Sequence, residues 1–210
     1  MNKIYLCSPK KYEGTYSLPM IEFEKTADKL DLSWCDTILF SSKQAVIFAN
    51  ELNSDWKSKK IVAVGPATKD MAIKLGAKDV YYPKEYYGEV LVKDILEFFS
   101  DRKILYIRPE VVSFDSYNYL KKEGIAIKEA IVYRTKCKGY KNRELEKNST
   151  IIFTSPSTIK CFFKSFKWDS SYKAVVIGKA TLSHLPQNIE VYVANEATIA
   201  SCVEKAKKIG

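Results

Sequence analysis

The chain has 210 residues, 46% of them hydrophobic and 28% charged, the make-up of a globular protein that buries a core, as one large domain or two small ones. A single histidine, His184, leaves no room for an imidazole triad or a His-rich metal centre. Five scattered cysteines, Cys7, Cys35, Cys137, Cys161 and Cys202, form no CxxC pair, which argues against a zinc site or a disulfide framework and predicts reduced thiols. The net charge of +9 favours an anionic partner, whether nucleic acid, a membrane surface or a polycarboxylate.

The first seven residues carry no secretory signal, and no apolar run approaches the ~20 residues of a membrane span, so a cytoplasmic protein without membrane association is expected. Lys3–Cys7 reads as a strand. Ser8–Ser17, with Pro9 and Gly14, reads as irregular, and Leu18–Glu24 as extended, since Pro19 disfavours helix at Leu18 and Ile21 and Phe23 alternate with acids. Thr37–Phe40 is an apolar run that ends in Ser41–Ser42 and leads into a helical pattern over Gln44–Asn50. Apolar runs follow at Ile61–Gly65 and Val80–Tyr82, then an amphipathic helix at Gly88–Ser100, a strand at Ile104–Ile107, a helix around Phe114–Lys122 and a strand at Ile127–Tyr133. Strands alternating with helices imply a parallel sheet covered on both faces.

The remainder repeats the first half. Thr37–Lys43 aligns with Thr150–Pro156, and Ala63–Thr68 with Val176–Thr181, at one common offset. The second copy has strands only at Thr150–Phe153, Ala174–Gly178 and Val191–Val193, too few for a sheet of its own, so the N-terminal strand is expected to join it. The expected organisation is a discontinuous domain of residues 1–17 plus 138–210, an inserted domain of 25–130, and extended segments 18–24 and 131–137 forming a hinge beside a cleft.

In open α/β sheets, ligands bind outside the carboxyl ends of the strands. There lie Ser41–Ser42, Gly65–Thr68, Thr154–Ser155 and Gly178–Thr181, each a small or hydroxyl residue before a helix N-terminus able to receive an anion. N-capping accounts for any single hydroxyl, but not for recurrence at one offset. Gly65 and Gly178 read as positions of positive φ or close backbone approach. Tyr133 falls on the returning extended segment. The lysines are spread over helix faces, as at Lys121–Lys122 and Lys205–Lys208, rather than gathered in a basic block.

Five stretches resemble the uroporphyrinogen-III synthase family: Ile38–Val46 (ILFSSKQAV), Val62–Leu75 (VAVGPATKDMAIKL), Lys122–Thr135 with its Val-Tyr-Arg-Thr ending, Ile151–Ile159 (IIFTSPSTI) and Val175–Leu182 (VVIGKATL). The resemblance implies an α/β fold of two similar three-layer, flavodoxin-like parallel-sheet domains joined by a two-stranded β-ladder, with the active site between them. It implies hydroxymethylbilane as substrate, a chain of four pyrroles with eight carboxylates. Loss of its terminal hydroxyl as water gives an azafulvene, and closure through a spiro intermediate inverts ring D to give uroporphyrinogen III. Holding the chain in the right conformation needs neither metal nor organic cofactor.

Carried over by position, the family's hinge tyrosine falls on Tyr133, a candidate to assist departure of the hydroxyl, and its loop threonine on Thr181. Ser42, Lys43, Thr68, Ser155 and the backbone at Gly65 and Gly178 become candidate carboxylate contacts. Lys179–Ala180 replaces the family's Pro-Thr, and Lys179 adds a charge there. The segment Ser8–Ser17 is too short for the family's first helix, so one sheet face should be thinly covered. The partners implied are the bilane and transient contact with hydroxymethylbilane synthase, for a monomer. A two-domain protein closing on a small anion fits the duplicated halves equally; a nucleic-acid module fits the charge but lacks a motif.

Overall fold

The computed structural model describes residues 2–85, 88–141 and 143–210. In chain order the strands and helices are β1 (Ile4–Cys7), β2 (Tyr16–Ser17), β3 (Ile21–Lys25), β4 (Thr37–Phe40), α1 (Lys43–Leu52), β5 (Lys60–Ala63), α2 (Pro66–Lys74), β6 (Val80–Tyr81), α3 (Gly88–Phe98), β7 (Ile104–Pro109), α4 (Ser116–Lys122), β8 (Ile127–Cys137), β9 (Thr150–Phe153), α5 (Pro156–Ser165), β10 (Lys173–Val176), α6 (Lys179–Leu182), β11 (Val191–Val193) and α7 (Ile199–Ile209). The chain divides into two compact units, residues 1–22 with 136–210, and residues 23–135.

The first unit is built on a parallel sheet in the order β11-β10-β9-β1-β2. β1 lies beside β9, with Ile4 opposite Thr150 and Cys7 opposite Phe153, so the N-terminal strand completes the sheet of the C-terminal repeat. Successive side chains on a strand point to opposite faces. Leu6, Ile152 and Val175 accordingly pack with Cys202, Val203 and Ala206 of α7, while Phe153 meets Phe162 of α5 edge-on at 5.3 Å. Strands buried on both faces explain why these runs are apolar without alternation. The segment read as irregular ends in β2, where Tyr16 and Ser17 pair with Tyr5 and Leu6. Two residues are too short a run for any periodicity to declare. Beside them a groove of about 830 Å³ opens along Ile4, Tyr16, Ala206 and Lys207.

The second unit has the order β3-β8-β7-β4-β5-β6. β4 to β8 are parallel. β3 runs the other way along β8, as Thr26 donates to the Val132 carbonyl (3.1 Å) while Lys138 donates to that of Met20 (2.9 Å). Ile38, Phe40, Ile61 and Ile107 share one buried face with Val46, Phe48 and Trp56. Leu39, Val62, Ile104 and Tyr106 form the other with Leu91 and Ile95 of α3 and Leu120 of α4. Leu75 ends α2 and Gly76 turns the chain at φ +109°, a conformation costly for any side chain, so that Ala77 can donate back to Ala72.

One expectation fails outright. Cys137, at the end of β8, is disulfide-bonded to Cys161 in α5, their Cα atoms 5.1 Å apart; Cys7, Cys35 and Cys202 are free and buried. Counting cysteines could not reveal the pair, because its proximity comes from the tertiary path that lays the end of β8 against α5.

Candidate active site

β4 is followed by Ser41, whose N–H donates to the Ile107 carbonyl of β7 at 3.2 Å. The next residue, Ser42, is extended (φ −166°, ψ 159°) and caps α1, its Oγ accepting from the Ala45 N–H at 3.0 Å. This is the ordinary capping role. The same Oγ lies 3.0 Å from Tyr133 Oη. The Tyr133 ring stacks on Phe48 of α1 at 5.3 Å and meets the edge of Phe23 of β3 at 5.6 Å, leaving the residue 5% exposed. Burial pushes the phenol above its ordinary value, and the bond to Ser42 pulls it back down.

Lys43 opens α1 and is half-buried. On the adjacent strand, Gly65 caps α2 with no side-chain bond, Pro66 takes the first turn, and the buried Thr68 donates its N–H to the Gly65 carbonyl at 3.1 Å. Because β4 and β5 pair in register, Ser42–Lys43 and Gly65–Thr68 emerge at the same sheet edge. Behind them a cavity of about 240 Å³ is lined by Ser41, Val64, Gly88, Tyr106, Phe114 and Ser116.

The other unit repeats the arrangement. Ser155 forms a capping box, accepting from the Thr158 N–H at 3.3 Å while its own N–H donates to Thr158 Oγ1 at 3.2 Å. Gly178 caps the four-residue α6; Lys179 is exposed, and Thr181 is 3% exposed with its N–H donating to the Gly178 carbonyl at 3.0 Å. β9 and β10 pair in register, so these two loops also share one sheet edge. His184 lies on the exposed side just beyond α6.

The glycines correct the reading of positive φ. Both Gly65 and Gly178 have φ 178°, extended backbone that any residue adopts. At Gly178 an added Cβ would meet nothing within 4 Å. Both glycines are the N-caps of their helices without a side-chain cap bond, and that is what the two positions share. Sequence reasoning missed Phe48 and Phe23, although Phe48 sits on the apolar stripe of its helix. Among the described residues no cluster of three His, Cys, Asp or Glu side chains is placed to hold a metal. Nor is any described helix long and apolar enough to cross a membrane.

Solved structures share this fold. The uroporphyrinogen-III synthetase of Helicobacter pylori 26695 matches with a TM-score of 0.84 at 22% identity, over 100% of both chains. A mutant uroporphyrinogen III synthase of the extremely thermophilic bacterium Thermus thermophilus matches with a TM-score of 0.63 at 11% identity, over 99% of this chain and 98% of that one. No curated protein matches the sequence. Parallel-sheet α/β units with loops gathered at the carboxyl ends of their strands place the chain in the two-domain α/β class. The family described as Uroporphyrinogen-III synthase HemD matches residues 14–204, nearly the whole chain, and the chain belongs to that family. It is a cyclising lyase of heme biosynthesis that closes hydroxymethylbilane, with loss of water and inversion of ring D, to uroporphyrinogen III.

Proposed function

We propose that Tyr133 is the group that assists departure of the bilane's hydroxyl, and that the strand-end loops of both units hold the carboxylates of one substrate molecule. The Ser42–Tyr133 contact carries this reading: it fixes a buried phenol beside the very loop the repeat singles out. A phenol is protonated at neutral pH, as a proton donor must be, and burial only raises its value further. As the C–O bond breaks, the phenol gives its proton to the leaving oxygen, which departs as water, and the pyrrole nitrogen supplies the electron pair to form the azafulvenium ion; loss of the ion's N–H proton to the phenolate restores the phenol and leaves the azafulvene. Lys43, Thr68, Ser155 and Lys179, with the backbone at Gly65 and Gly178, contact carboxylates; Thr181 contacts a carboxylate or the leaving group.

In this reading segments 18–24 and 131–137 act as the hinge between a domain of 1–17 with 138–210 and a domain of 25–130. The protein works in the cytoplasm as a monomer and takes the unstable bilane by transient contact with hydroxymethylbilane synthase. The test is Tyr133→Phe, which keeps the ring packing and removes the hydroxyl. The expected result is a kcat lowered about 10²-fold with KM little changed, as for loss of a general acid. A wild-type kcat in the folded variant removes Tyr133 from the chemistry.

A further inference from the structure

We infer that Ser42 serves the reaction as a positioning residue, donating its hydroxyl proton to Tyr133 Oη so that the phenol's own proton is left for the substrate. This replaces a carboxylate contact as the role of Ser42 and rests on the reading of Tyr133 as the donor to the leaving hydroxyl.

A serine hydroxyl has one proton and two lone pairs. One lone pair of Ser42 Oγ is occupied by the Ala45 N–H at 3.0 Å, and that bond, with the extended backbone of Ser42, sets where the oxygen stands. Tyr133 Oη stands 3.0 Å away on the other side. If the phenol donated across this gap, its only proton would be spent on Ser42. If Ser42 donates, the phenol is polarised and keeps its own proton free to give. Accepting an N–H bond at the positive end of the ten-residue α1 favours the second arrangement, because it draws electron density from Oγ and strengthens its O–H as a donor. The ring is packed from two sides, stacked on Phe48 and edge-on to Phe23. Rotation about the C–O bond aims the phenol proton, and the bond from Ser42 sets that rotation.

Several ionisable side chains on the elements packed against the ring are paired with one another. Glu24 of β3 and Arg134 of β8 pair through two bonds, at 2.7 and 3.1 Å, and Arg108 of β7 binds Glu129 of β8 at 2.8 Å. Lys43 opens α1. The phenol's shift comes from burial, which raises it, and from Ser42, which lowers it. Loss of the Ser42 hydroxyl therefore moves the phenol further up.

The experiment measures kcat, KM and the pH dependence of kcat for full-length Ser42→Thr, Ser42→Asp and Ser42→Ala, with Ser42→Ala also made in Tyr133→Phe. Thr keeps both cap and donor; Asp keeps the cap but has no proton to give at neutral pH, which separates positioning from stability. The expected result is near-wild-type Thr, kcat lowered about tenfold or more in Asp and Ala with KM little changed, and an alkaline limb displaced to higher pH in Ala. In the Tyr133→Phe background Ser42→Ala should cost nothing further. Raised KM at unchanged kcat would make Ser42 a carboxylate contact and overturn the inference. Additive losses in the double variant overturn it while leaving Tyr133 in place; a fully active Tyr133→Phe removes both readings together.

Discussion

The pairing of Ser42 with Tyr133 joins two residues 91 apart in the chain. Each was legible singly, Ser42 from the repeat and Tyr133 from the family motif, but their contact depends on α1 and β8 packing together, which no local pattern encodes. The glycines were legible in type and not in conformation, because glycine serves an extended N-cap as well as a left-handed turn. Burial and a bond to Asp94 at 2.7 Å push the Tyr81 phenol up to about 12. A folded value raised above the unfolded value of about 10 gives stability that is complete below pH 10 and lost as pH rises toward 12. Thermal melting of the wild type should therefore fall across that window, and Tyr81→Phe should fall less steeply; parallel profiles would contradict the assignment.

Strands buried on both faces and helices with one apolar stripe were legible from hydropathy, as at Thr37–Phe40 and Gly88–Phe98. β2 was not, because an edge strand of two residues is defined by its partner and not by its own sequence. The disulfide was hidden for a related reason: Cys137 and Cys161 lie 24 residues apart on a strand end and a helix face that meet only in the tertiary fold. A bond closing a loop of that length stabilises by about 3 kcal/mol through the unfolded chain. Cys161→Ser, or treatment with a dithiol, should lower the melting temperature by about 5–10 °C. Unchanged melting, with all five thiols titrating in the denatured untreated protein, would show the bond to be absent.

At the scale of the molecule, the repeat made the topology legible before any coordinates: one offset relating Ser42 to Ser155 and Gly65 to Gly178, and a second copy too short to stand without the N-terminal strand. The structure seats β1 against β9 as that shortage requires. What the sequence left out is the local geometry of each loop, such as the bond from Ser42 to Tyr133 and the capping box at Ser155. The family assignment makes the chain a synthase that yields the type III isomer. The claim is tested most directly by generating hydroxymethylbilane in situ from porphobilinogen with its deaminase, adding the protein, oxidising the products and separating the uroporphyrin isomers. The account predicts excess type III; type I alone, in the presence of folded protein, would contradict it.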